Sequence, residues 1–319
     1  MNFQNLESFT VLVEEKNITR AAERLHVTQQ ALSGMLARME AELGSPLFLR
    51  RPGFELTYAG KCFLKSAEQI LDIQRQTVAA ITDTNDNRRG ELRIGISHTR
   101  GQCILPLLLT EFSKLYPLAE LTIYEGNTAV LEEDLNKGII DVLIGFAPFM
   151  LDSAESTPLM DERMFLVVPK ALMEKFFGSQ VANIVELYDH SRNLSLFSQM
   201  PFVLLKKGDR IRTIAEREFA ASNIKPIIKL ETQNMQTAFC LSAEGMGLTV
   251  CPELYLNSPY IVSGTVDSAI RQKVDILPFS GKDSVDTIAI GYNRERYLSK
   301  MARDFINLSL QLYHKEPVF

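Results

Sequence analysis

Residues 17–43 read NITRAAERLHVTQQALSGMLARMEAEL, and this stretch predicts two short amphipathic helices joined by a tight turn. Thr19 is placed to cap the first helix, and the two alanines that follow are small enough to let another helix approach closely. Thr28 is placed to cap the second helix after the turn. The pattern therefore predicts a helix-turn-helix over about Ile18 to Ala37.

The predicted second helix has one apolar face and one polar end. Its apolar stripe has residues spaced four, three and four positions apart, namely Leu32, Leu36, Met39 and Leu43. Amide and hydroxyl side chains lie near the N-terminal end, where a recognition helix contacts base edges in the major groove. These candidate base-reading residues are Gln29, Gln30 and Ser33, and the capping residue Thr28 is also assigned to the DNA-binding site. A helical hairpin without a role in DNA binding fits the same spacing, so the following residues must decide.

The next residues predict a β-hairpin wing, because Leu47 and Phe48, a basic pair and a Pro-Gly turn are followed by a short segment ending near Thr57. Together with the helices, this order resembles the N-terminal domain of LysR-type transcriptional regulators over about the first 60 residues. The resemblance is carried by Ala21, Ala22, Leu25, Gln29, Ser33, Glu40, Leu43, Gly44, Leu47, Phe48, Arg50, Leu56, Thr57 and Gly60.

The resemblance implies how this domain binds DNA. The second helix would enter the major groove with Gln29 and Ser33 against the bases. The remaining predicted DNA-binding residues would contact phosphate or flank the site, and they are Arg38, Arg50, Arg51 and Thr57. Two positions depart from the family pattern, since Gln30 stands where proline is frequent and Gly34 where a longer polar side chain is common. We therefore expect one DNA contact to be missing.

Charge predicts that one copy of this domain binds DNA weakly. Residues 1–60 carry six basic side chains and seven acidic ones, whereas nonspecific affinity comes from neutralising phosphates. Linking two or more copies restores tight recognition of a site. We therefore expect a homodimer or a homotetramer on double-stranded promoter DNA.

The segment from Lys61 to about Asp83 contains no glycine or proline and predicts a long helix. A candidate seam recurs every three or four residues, at Phe63, Ala67, Ile70, Gln74, Thr77 and Ile81. This spacing is typical of a short coiled coil, so residues 61–89 are assigned to a linker helix that dimerises. A helix packed only on its own domain is the alternative, because Gln74 and Thr77 dilute the seam.

Beyond Glu91 the pattern changes to alternating strands and helices, which predicts parallel βαβ units. Residues 90–319 are assigned to one domain with two lobes, about 90–163 with 270–319 and about 164–269. This half resembles the effector-binding region of LysR-type regulators, itself like type 2 periplasmic binding proteins. The resemblance is carried by Pro106, Tyr116, Pro117, residues 138–141, Gly245, Gly247, Cys251 and Pro252. The predicted fold class is α plus α/β: a winged helix-turn-helix, a long linker helix and a two-lobed α/β effector-binding domain.

A cleft between the two lobes is the predicted effector site. Ligands in such sheets lie at the C-terminal ends of strands, where helix N-termini direct free N–H groups into the crevice. The candidate site consists of polar residues that follow strands and two aromatic walls: Ser97, Thr99, Arg100, Asn127, Thr128, Phe146, Phe202 and Thr232. Hydroxyls, amides and one guanidinium suit a small carboxylate or another polar anion. Helix capping, or for Arg100 a solvated loop position, is the alternative role.

Composition and motifs exclude several other classes of protein. The 319 residues carry a formal net charge of -5, which argues against a protein that coats nucleic acid. No apolar run is long enough to cross a membrane and no signal peptide is visible, so we expect a cytoplasmic protein without a membrane partner. No phosphate-loop, dinucleotide-binding or hydrolase motif is present. We therefore expect no enzyme activity and no cofactor besides the effector.

The four cysteines and four histidines are scattered, without the spacing of a metal site. Some LysR-type regulators sense oxidants through paired cysteines, so Cys240 with Cys251 gives one alternative function. Both positions are predicted to be sheltered in regular structure, which favours ordinary thiols. A DNA-bound oligomer that needs no ligand is a second alternative. RNA polymerase is a further partner that the resemblance implies, while the effector's identity and the sign of regulation stay open.

Overall fold

The computed structural model describes residues 2–49, 54–84, 89–262, 268–279 and 285–313. The chain divides into two compact units, residues 1–87 with 137–139 and residues 88–136 with 140–319. Separate hydrophobic cores stabilise the two units. Arg50, Arg51 and the Pro-Gly turn of the predicted wing lie outside the described residues.

The N-terminal unit follows the predicted order of helices and wing. Its elements are α1 (Phe3–Glu15), α2 (Ile18–Arg24), α3 (Gln29–Leu43), β1 (Phe48–Leu49), β2 (Glu55–Leu56) and α4 (Tyr58–Thr84). α2 and α3 form the helix-turn-helix, and β1 pairs antiparallel with β2 as a short wing. The structure therefore confirms a winged helix-turn-helix followed by a long helix.

The sequence predicts the cap of α3 correctly and that of α2 incorrectly. The Thr28 hydroxyl accepts a hydrogen bond from a first-turn amide of α3, as expected. Asn17, and not Thr19, caps α2, since the Asn17 carboxamide oxygen accepts from the amides of Thr19 and Arg20. Asparagine is at least as good a cap as threonine, so the helix begins at Ile18.

The core of this unit is built from α1, α2, α3 and the wing. Leu32, Leu36 and Met39 are buried, as the predicted stripe requires, and Met35 joins them. Leu43 is 43% exposed, so its place in the stripe was wrong. It is the last residue of α3, and the left-handed glycine that follows ends the helix before this side chain can pack.

Glu40 and Thr57 hold the wing in place. The Glu40 carboxylate accepts hydrogen bonds from the amides of Leu47 at 2.8 Å and Phe48 at 3.4 Å. The Thr57 hydroxyl donates to a carbonyl oxygen of the preceding loop at 2.7 Å and accepts from the Gly60 amide at 2.9 Å. The second bond caps α4, so both residues have structural roles.

The long helix α4 extends beyond the predicted range of 61–83 at both ends. One face packs on α1, where Ala67 and Leu71 are buried next to Leu6. Its large exposed aliphatic side chains are Ile70, Ile73, Val78 and Ile81. The predicted seam is therefore divided, because Ala67 belongs to the chain's own core whereas Ile70 and Ile81 are exposed.

The C-terminal unit alternates strands and helices, as predicted. Its strands are β3 (Arg89–Ile96), β4 (Leu118–Glu125), β5 (Val142–Phe146), β6 (Ala154–Glu162), β7 (Met164–Pro169), β8 (Pro201–Leu205), β9 (Ile227–Thr232), β10 (Thr249–Pro252), β11 (Val274–Pro278) and β12 (Asp286–Asn293). Its α-helices are α5 (His98–Leu115), α6 (Thr128–Lys137), α7 (Lys170–Phe177), α8 (Val181–Ser191), α9 (Arg210–Ala221), α10 (Met235–Ala243), α11 (Glu253–Asn257), α12 (Pro259–Val262), α13 (Ser268–Arg271) and α14 (Lys300–Tyr313). Short 3-10 helices cover Gly178–Gln180 and Leu194–Phe197. The sequence pattern predicts helices from Thr128 to Lys137 and from Arg210 to Ala221, and α6 and α9 have these bounds. β6, α7 and α8 were not predicted.

The first lobe contains a five-stranded sheet in the order β4-β3-β5-β12-β6. β3 runs parallel to β4 and β5, whereas β12 runs antiparallel to β5 and β6. The C-terminal ends of β3, β4 and β5 therefore lie at one edge of the sheet. α5 and α6 follow β3 and β4, so their N-termini also lie at this edge.

The second lobe contains the sheet β10-β7-β11 and the parallel pair β8-β9. Backbone hydrogen bonds of Leu248 with Pro201 and Val203 connect β8 to the segment leading into β10. The chain first crosses between the lobes at Arg163, which lies between β6 and β7. β11 pairs with β7 of the second lobe, so the chain returns to the first lobe after β11, a few residues later than the predicted boundary at about residue 270.

Two residues that carried the family resemblance have structural explanations. Asp141 accepts hydrogen bonds from the amide of Arg93 at 2.9 Å and from its guanidinium, which ties the start of β5 to β3. Gly247 lies where β8 passes closely, since a Cβ atom there would approach the Pro201 carbonyl oxygen to 2.7 Å. Both residues therefore serve the pairing of strands.

Two glycines of the N-terminal unit should respond oppositely to alanine. Gly34 lies inside α3, and beyond its own stretch of the helix no described heavy atom lies within 4 Å of its Cβ position, so Gly34→Ala should raise the free energy of unfolding by about 1 kcal/mol. A Cβ on Gly60 would lie 2.1 Å from the Leu47 carbonyl oxygen, so Gly60→Ala should lower it by about 1 to 3 kcal/mol. Urea unfolding measures both changes, and a destabilised Gly34→Ala protein would contradict the first expectation.

Candidate DNA-binding and effector sites

The N-terminal end of α3 presents an exposed polar surface. The side chains of Gln29 and Gln30 are exposed, and Ser33 is half-buried. The Thr28 hydroxyl is engaged in capping the helix. The two glutamine amides are therefore the groups best placed to bond with bases, and Ser33 and the cap residue Thr28 lie at the same helix end.

Ion pairs offset positive charge on the neighbouring helix. Arg24 on α2 contacts Glu14 at 2.6 Å and Glu15 at 3.2 Å, and Arg20 contacts Glu15 at 3.7 Å. Hydrogen bonds to Glu14 and then to Glu15 raise the pKa of Arg24. These two cations are paired within the chain, so they add little net positive charge toward DNA.

The other predicted DNA-binding residues differ in their exposure and in their contacts within the chain. Arg38 is exposed on α3. The Thr57 hydroxyl is engaged with the wing and the α4 cap, so its phosphate contact stays a prediction. Arg50 and Arg51 lie outside the described residues, and their phosphate contacts also stay predictions.

Five predicted effector-site residues lie at the C-terminal edge of the first-lobe sheet. Ser97 precedes α5, Thr99 lies in its first turn, and Phe146 ends β5. Asn127 caps α6, which begins at Thr128, by accepting a backbone amide hydrogen bond at 3.0 Å. The Ser97 hydroxyl makes no capping bond to α5. The first-turn amides of α5 therefore lack a side-chain partner from the cap residue.

Arg100 is buried, and two of its three guanidinium nitrogens donate hydrogen bonds within the chain. The side chain is 4% exposed, and it donates hydrogen bonds to Glu162 at 2.6 Å and to the Ser97 hydroxyl at 3.1 Å. The guanidinium carbon lies 3.7 Å from the centroid of the Phe146 ring, which is a cation–π contact. A carboxylate of the chain thus engages one end of the guanidinium, whereas the buried Nε has no hydrogen-bond partner among the described residues. The predicted contact of Arg100 with an effector carboxylate stays a prediction.

Glu162 is the partner that sequence reasoning missed. It ends β6 and is 1% exposed. Burial raises the pKa of its carboxyl, and the Arg100 guanidinium opposes this shift. The nearby carboxylates of Asp286 and Glu253 raise the same pKa. The pair is therefore a buried ion pair in which desolvation and Coulomb attraction oppose each other.

The second lobe contributes other residues than those predicted. Phe202 has no exposed surface and packs edge-on against Phe219, with ring centroids 5.0 Å apart. It belongs to the lobe core, which corrects its assignment as a wall of the cleft. Thr232 ends β9, is half-buried, and accepts a hydrogen bond from the Asn234 amide at 3.2 Å, so a turn already engages its hydroxyl.

Arg210 and Asp286 connect the two lobes, and sequence reasoning missed both. Arg210 begins α9 in the second lobe, and its guanidinium carbon lies 5.5 Å from the centroid of the Phe146 ring. Its guanidinium also lies 3.7 Å from Asp286 of the first lobe, and Arg217 lies 3.7 Å from the same carboxylate. The sequence does contain a signal for a helix N-terminus at this place, because Asp209 is a typical N-cap residue and α9 begins just after a strand.

Two of the cysteines are buried, and burial raises the pKa of both thiols. Cys251 lies in β10, and burial raises the pKa of its thiol well above the ordinary value. Cys103 lies inside α5, where burial raises its pKa to about 12. Because the thiolate is the reactive form, these pKa values argue against the oxidant-sensing alternative that pairs Cys251 with Cys240.

Neither a candidate metal-binding cluster nor a membrane-spanning helix occurs among the described residues. None of their histidine, cysteine and acidic side chains form a group of three or more that could hold a metal ion. No helix within the same residues has the length and apolar character to cross a membrane. The two ring nitrogens of His98 contact Glu125 at 3.0 Å and Gln102 at 3.2 Å. Neither nitrogen is therefore bonded to the neighbouring Ser97.

The buried pair predicts that Arg100→Gln loses stability in a pH-dependent way. Without the cation, burial acts unopposed and raises the pKa of Glu162 further above its unfolded value of about 4.3. A group with a raised folded pKa contributes stability below the unfolded pKa and loses it as pH rises through the folded pKa. The difference from wild type should therefore be small near about pH 4 and reach about 3 to 5 kcal/mol near about pH 8.

Urea unfolding across this pH range measures the difference. Arg303→Gln is the matched control, because Arg303 is exposed on α14 and its loss should shift stability little at any pH. A constant difference between wild type and Arg100→Gln would contradict the coupling between Arg100 and Glu162.

Comparison with known protein families agrees with the division into two units. Residues 3–61 match the model described as "Bacterial regulatory helix-turn-helix protein, lysR family". Residues 85–313 match the model described as "LysR substrate binding domain". The second match alone covers more than half of the chain.

Sequence similarity to known proteins extends over most of the chain. The "Uncharacterized HTH-type transcriptional regulator YcgK" of Bacillus subtilis (strain 168) is 28% identical, over 97% of this chain and 94% of the relative. The "HTH-type transcriptional regulator ClcR" of Pseudomonas putida is 29% identical, over 79% of this chain and 83% of the relative. The structure of CbnR, a LysR family transcriptional regulator, has a TM-score of 0.67 at 21% identity, over 99% of this chain and 100% of that chain.

A structure of full-length CbnR complexed with its target DNA has a TM-score of 0.65 at 22% identity, over 97% of this chain and 100% of that chain. These likenesses support the fold, and the two family models identify the domains. The chain therefore belongs to the LysR family, whose members are DNA-binding transcriptional regulators with an effector-binding domain and not enzymes.

Proposed function

We propose that this chain is a cytoplasmic, sequence-specific regulator that binds promoter DNA as a homodimer or homotetramer and responds to a small carboxylate or another polar anion. One observation carries the proposal. The same chain joins an exposed polar end of a recognition helix to a two-lobed domain whose lobes meet near strand ends. RNA polymerase is the expected protein partner at the promoter.

Sequence-specific binding is assigned to the N-terminal end of α3. Gln29 and Gln30 are exposed there, and a glutamine amide can pair with adenine through two hydrogen bonds. Ser33 lies one turn further along. Phosphate contacts are assigned to Arg38, Arg50, Arg51 and Thr57, with Thr28 at the helix cap.

Oligomerisation is assigned to the exposed aliphatic side chains of α4. Ile73, Val78 and Ile81 are each more than half exposed on a helix of 27 residues. A second copy of the helix would remove this apolar surface from water. Linking two heads would also compensate for weak phosphate binding by one head, because residues 1–60 carry one more acidic than basic side chain.

The effector is assigned to the edge where the strands of the first lobe end, facing the start of α9. Ser97, Thr99 and Thr128 offer hydroxyls beside the N-termini of two helices, and such N-termini favour anions. Phe146 offers an apolar surface. Asn127 and Thr232 remain candidates at the rim. A ligand that contacts both lobes would favour one arrangement of them over another.

Replacing Gln29 tests the base-reading role. Gln29→Ala should weaken binding to the specific site by about 10- to 100-fold and leave binding to random DNA unchanged. The control is Gln311→Ala, an exposed glutamine on α14. A gel shift on the DNA that flanks the protein's own gene, at about 150 mM salt, with and without random competitor, measures both affinities. Equal losses on specific and random DNA would contradict the assignment.

A ligand response is tested by thermal unfolding of the full-length protein with a panel of carboxylates. A ligand at 100 times its dissociation constant should add about 2.7 kcal/mol to the free energy of unfolding. The same compound should alter the mobility of the protein–DNA complex. Intact DNA binding with unchanged stability across the panel would instead favour the alternative of a DNA-bound oligomer that needs no ligand.

A further inference from the structure

Arg210 and Arg217 form a clamp around the carboxylate of Asp286, and both arginines lie farther from it than a charge-assisted hydrogen bond allows. Arg210 Nη2 lies 3.7 Å from Asp286 Oδ1, and Arg217 Nη2 lies 3.7 Å from Asp286 Oδ2. A charge-assisted hydrogen bond between such groups is about 2.7 to 2.9 Å long. Each guanidinium therefore attracts Asp286 electrostatically without a hydrogen bond of that length to it. Arg217 is shared with a second carboxylate, since its Nε lies 3.4 Å from Glu218 Oε1.

The clamp crosses from one lobe to the other. Arg210 and Arg217 lie on α9 of the second lobe, whereas Asp286 begins β12 of the first lobe. The side chains of Arg210 and Arg217 are 41% and 51% exposed, and that of Asp286 is 12% exposed. A dissolved anion can therefore reach the two cations, although the carboxylate between them is largely covered.

Phe146 distinguishes Arg210 from the other cation near the cleft. Arg100 and Arg210 both approach this ring, at 3.7 Å and 5.5 Å from its centroid. Arg100 is buried and bonded to Glu162 at 2.6 Å, whereas Arg210 is accessible and bound only loosely to Asp286. Of the two cations beside the ring, Arg210 is thus the one that a ligand can engage.

We propose that Asp286 is an internal substitute for the effector, and that a ligand carboxylate displaces it from Arg210 and Arg217 while the ligand's apolar part lies against Phe146. The inference rests on the proposed function, because it supplies the anion site of that cleft. A free carboxylate is not fixed to β12, so it can approach both guanidinium groups to hydrogen-bonding distance. Displacement also removes an ionic link between the lobes, which couples binding to lobe arrangement.

Acetate is the probe, because it is the side-chain analogue of aspartate, and acetamide is its uncharged match. Asp286→Ala removes the internal carboxylate and vacates the clamp. At constant ionic strength, acetate should then raise the Tm of the full-length variant saturably by about 2 to 4 °C. Acetamide should leave the Tm unchanged. The wild-type protein should respond only at higher acetate concentrations, because Asp286 competes.

A second ion pair supplies the control. Lys170 and Asp275 lie 3.6 Å apart within the second lobe, so Asp275→Ala removes a carboxylate from a pair of nearly the same length outside the cleft. The double variant Arg210→Gln with Asp286→Ala should lose the acetate response. The inference is overturned if wild type, Asp286→Ala and Asp275→Ala respond equally, or if acetamide acts as strongly as acetate.

Asp286→Asn replaces Asp286→Ala if the alanine variant does not fold. Its acetate midpoint should be at least about 10-fold lower than that of wild type, and equal midpoints would overturn the inference. The experiment uses no DNA. A missing acetate response therefore leaves operator binding intact, whereas a missing operator complex contradicts the proposed function and leaves the clamp unaffected.

Discussion

Arg100 can be buried beside the cleft only because Glu162 meets its guanidinium there. Either charge alone would lose several kcal/mol of hydration without a partner. Glu162 is the last residue of β6, immediately before the chain crosses to the second lobe at Arg163. The same contact therefore fixes the start of α5 and the point from which β7 departs. The Phe146 ring lies against Arg100 of this pair and also near Arg210 of the second lobe. The buried pair therefore helps to position the ring that the second lobe contacts.

Paired cations are a feature of both candidate sites. Arg24 beside the recognition helix contacts Glu14 at 2.6 Å, and Arg210 beside the cleft lies 3.7 Å from Asp286. Binding of a phosphate or a carboxylate at such places exchanges one anionic partner for another. The net gain then depends on how well the new partner fits, since the Coulomb attraction was already present. Selectivity for geometry over charge follows from this exchange, and it is consistent with a chain of net charge -5.

Local spacing in the sequence was enough for elements that are defined by their own periodicity. α6 and α9 have the predicted bounds, and the helix-turn-helix follows from the apolar stripe of α3. β6 could not be predicted in this way, because residues 155–158 are all exposed and show no alternation. Its strand conformation comes from pairing with β12, which lies more than a hundred residues later in the chain.

The site residues show the same limit. Arg100 and Glu162 are 62 residues apart, so nothing near Arg100 in the sequence indicates that its charge is already neutralised. Phe202 follows the same rule, because an aromatic residue on a strand can face a core or a cleft. The packing partner on another element, Phe219 of α9, decides in favour of the core. Long-range partners thus determine which members of a correctly predicted set of strand-end residues are available to a ligand.

A head without excess positive charge has a consequence for regulation. Two linked heads bind a pair of half-sites tightly only when their spacing matches that of the DNA, because effective concentration falls steeply with mismatch. A change in lobe arrangement that altered this spacing would therefore change occupancy of the paired site while every base contact of α3 stayed the same. Binding to a single half-site would be unaffected. Under the proposed function, a head without excess positive charge would let the effector control the DNA complex, since a strongly basic head would stay bound at any spacing.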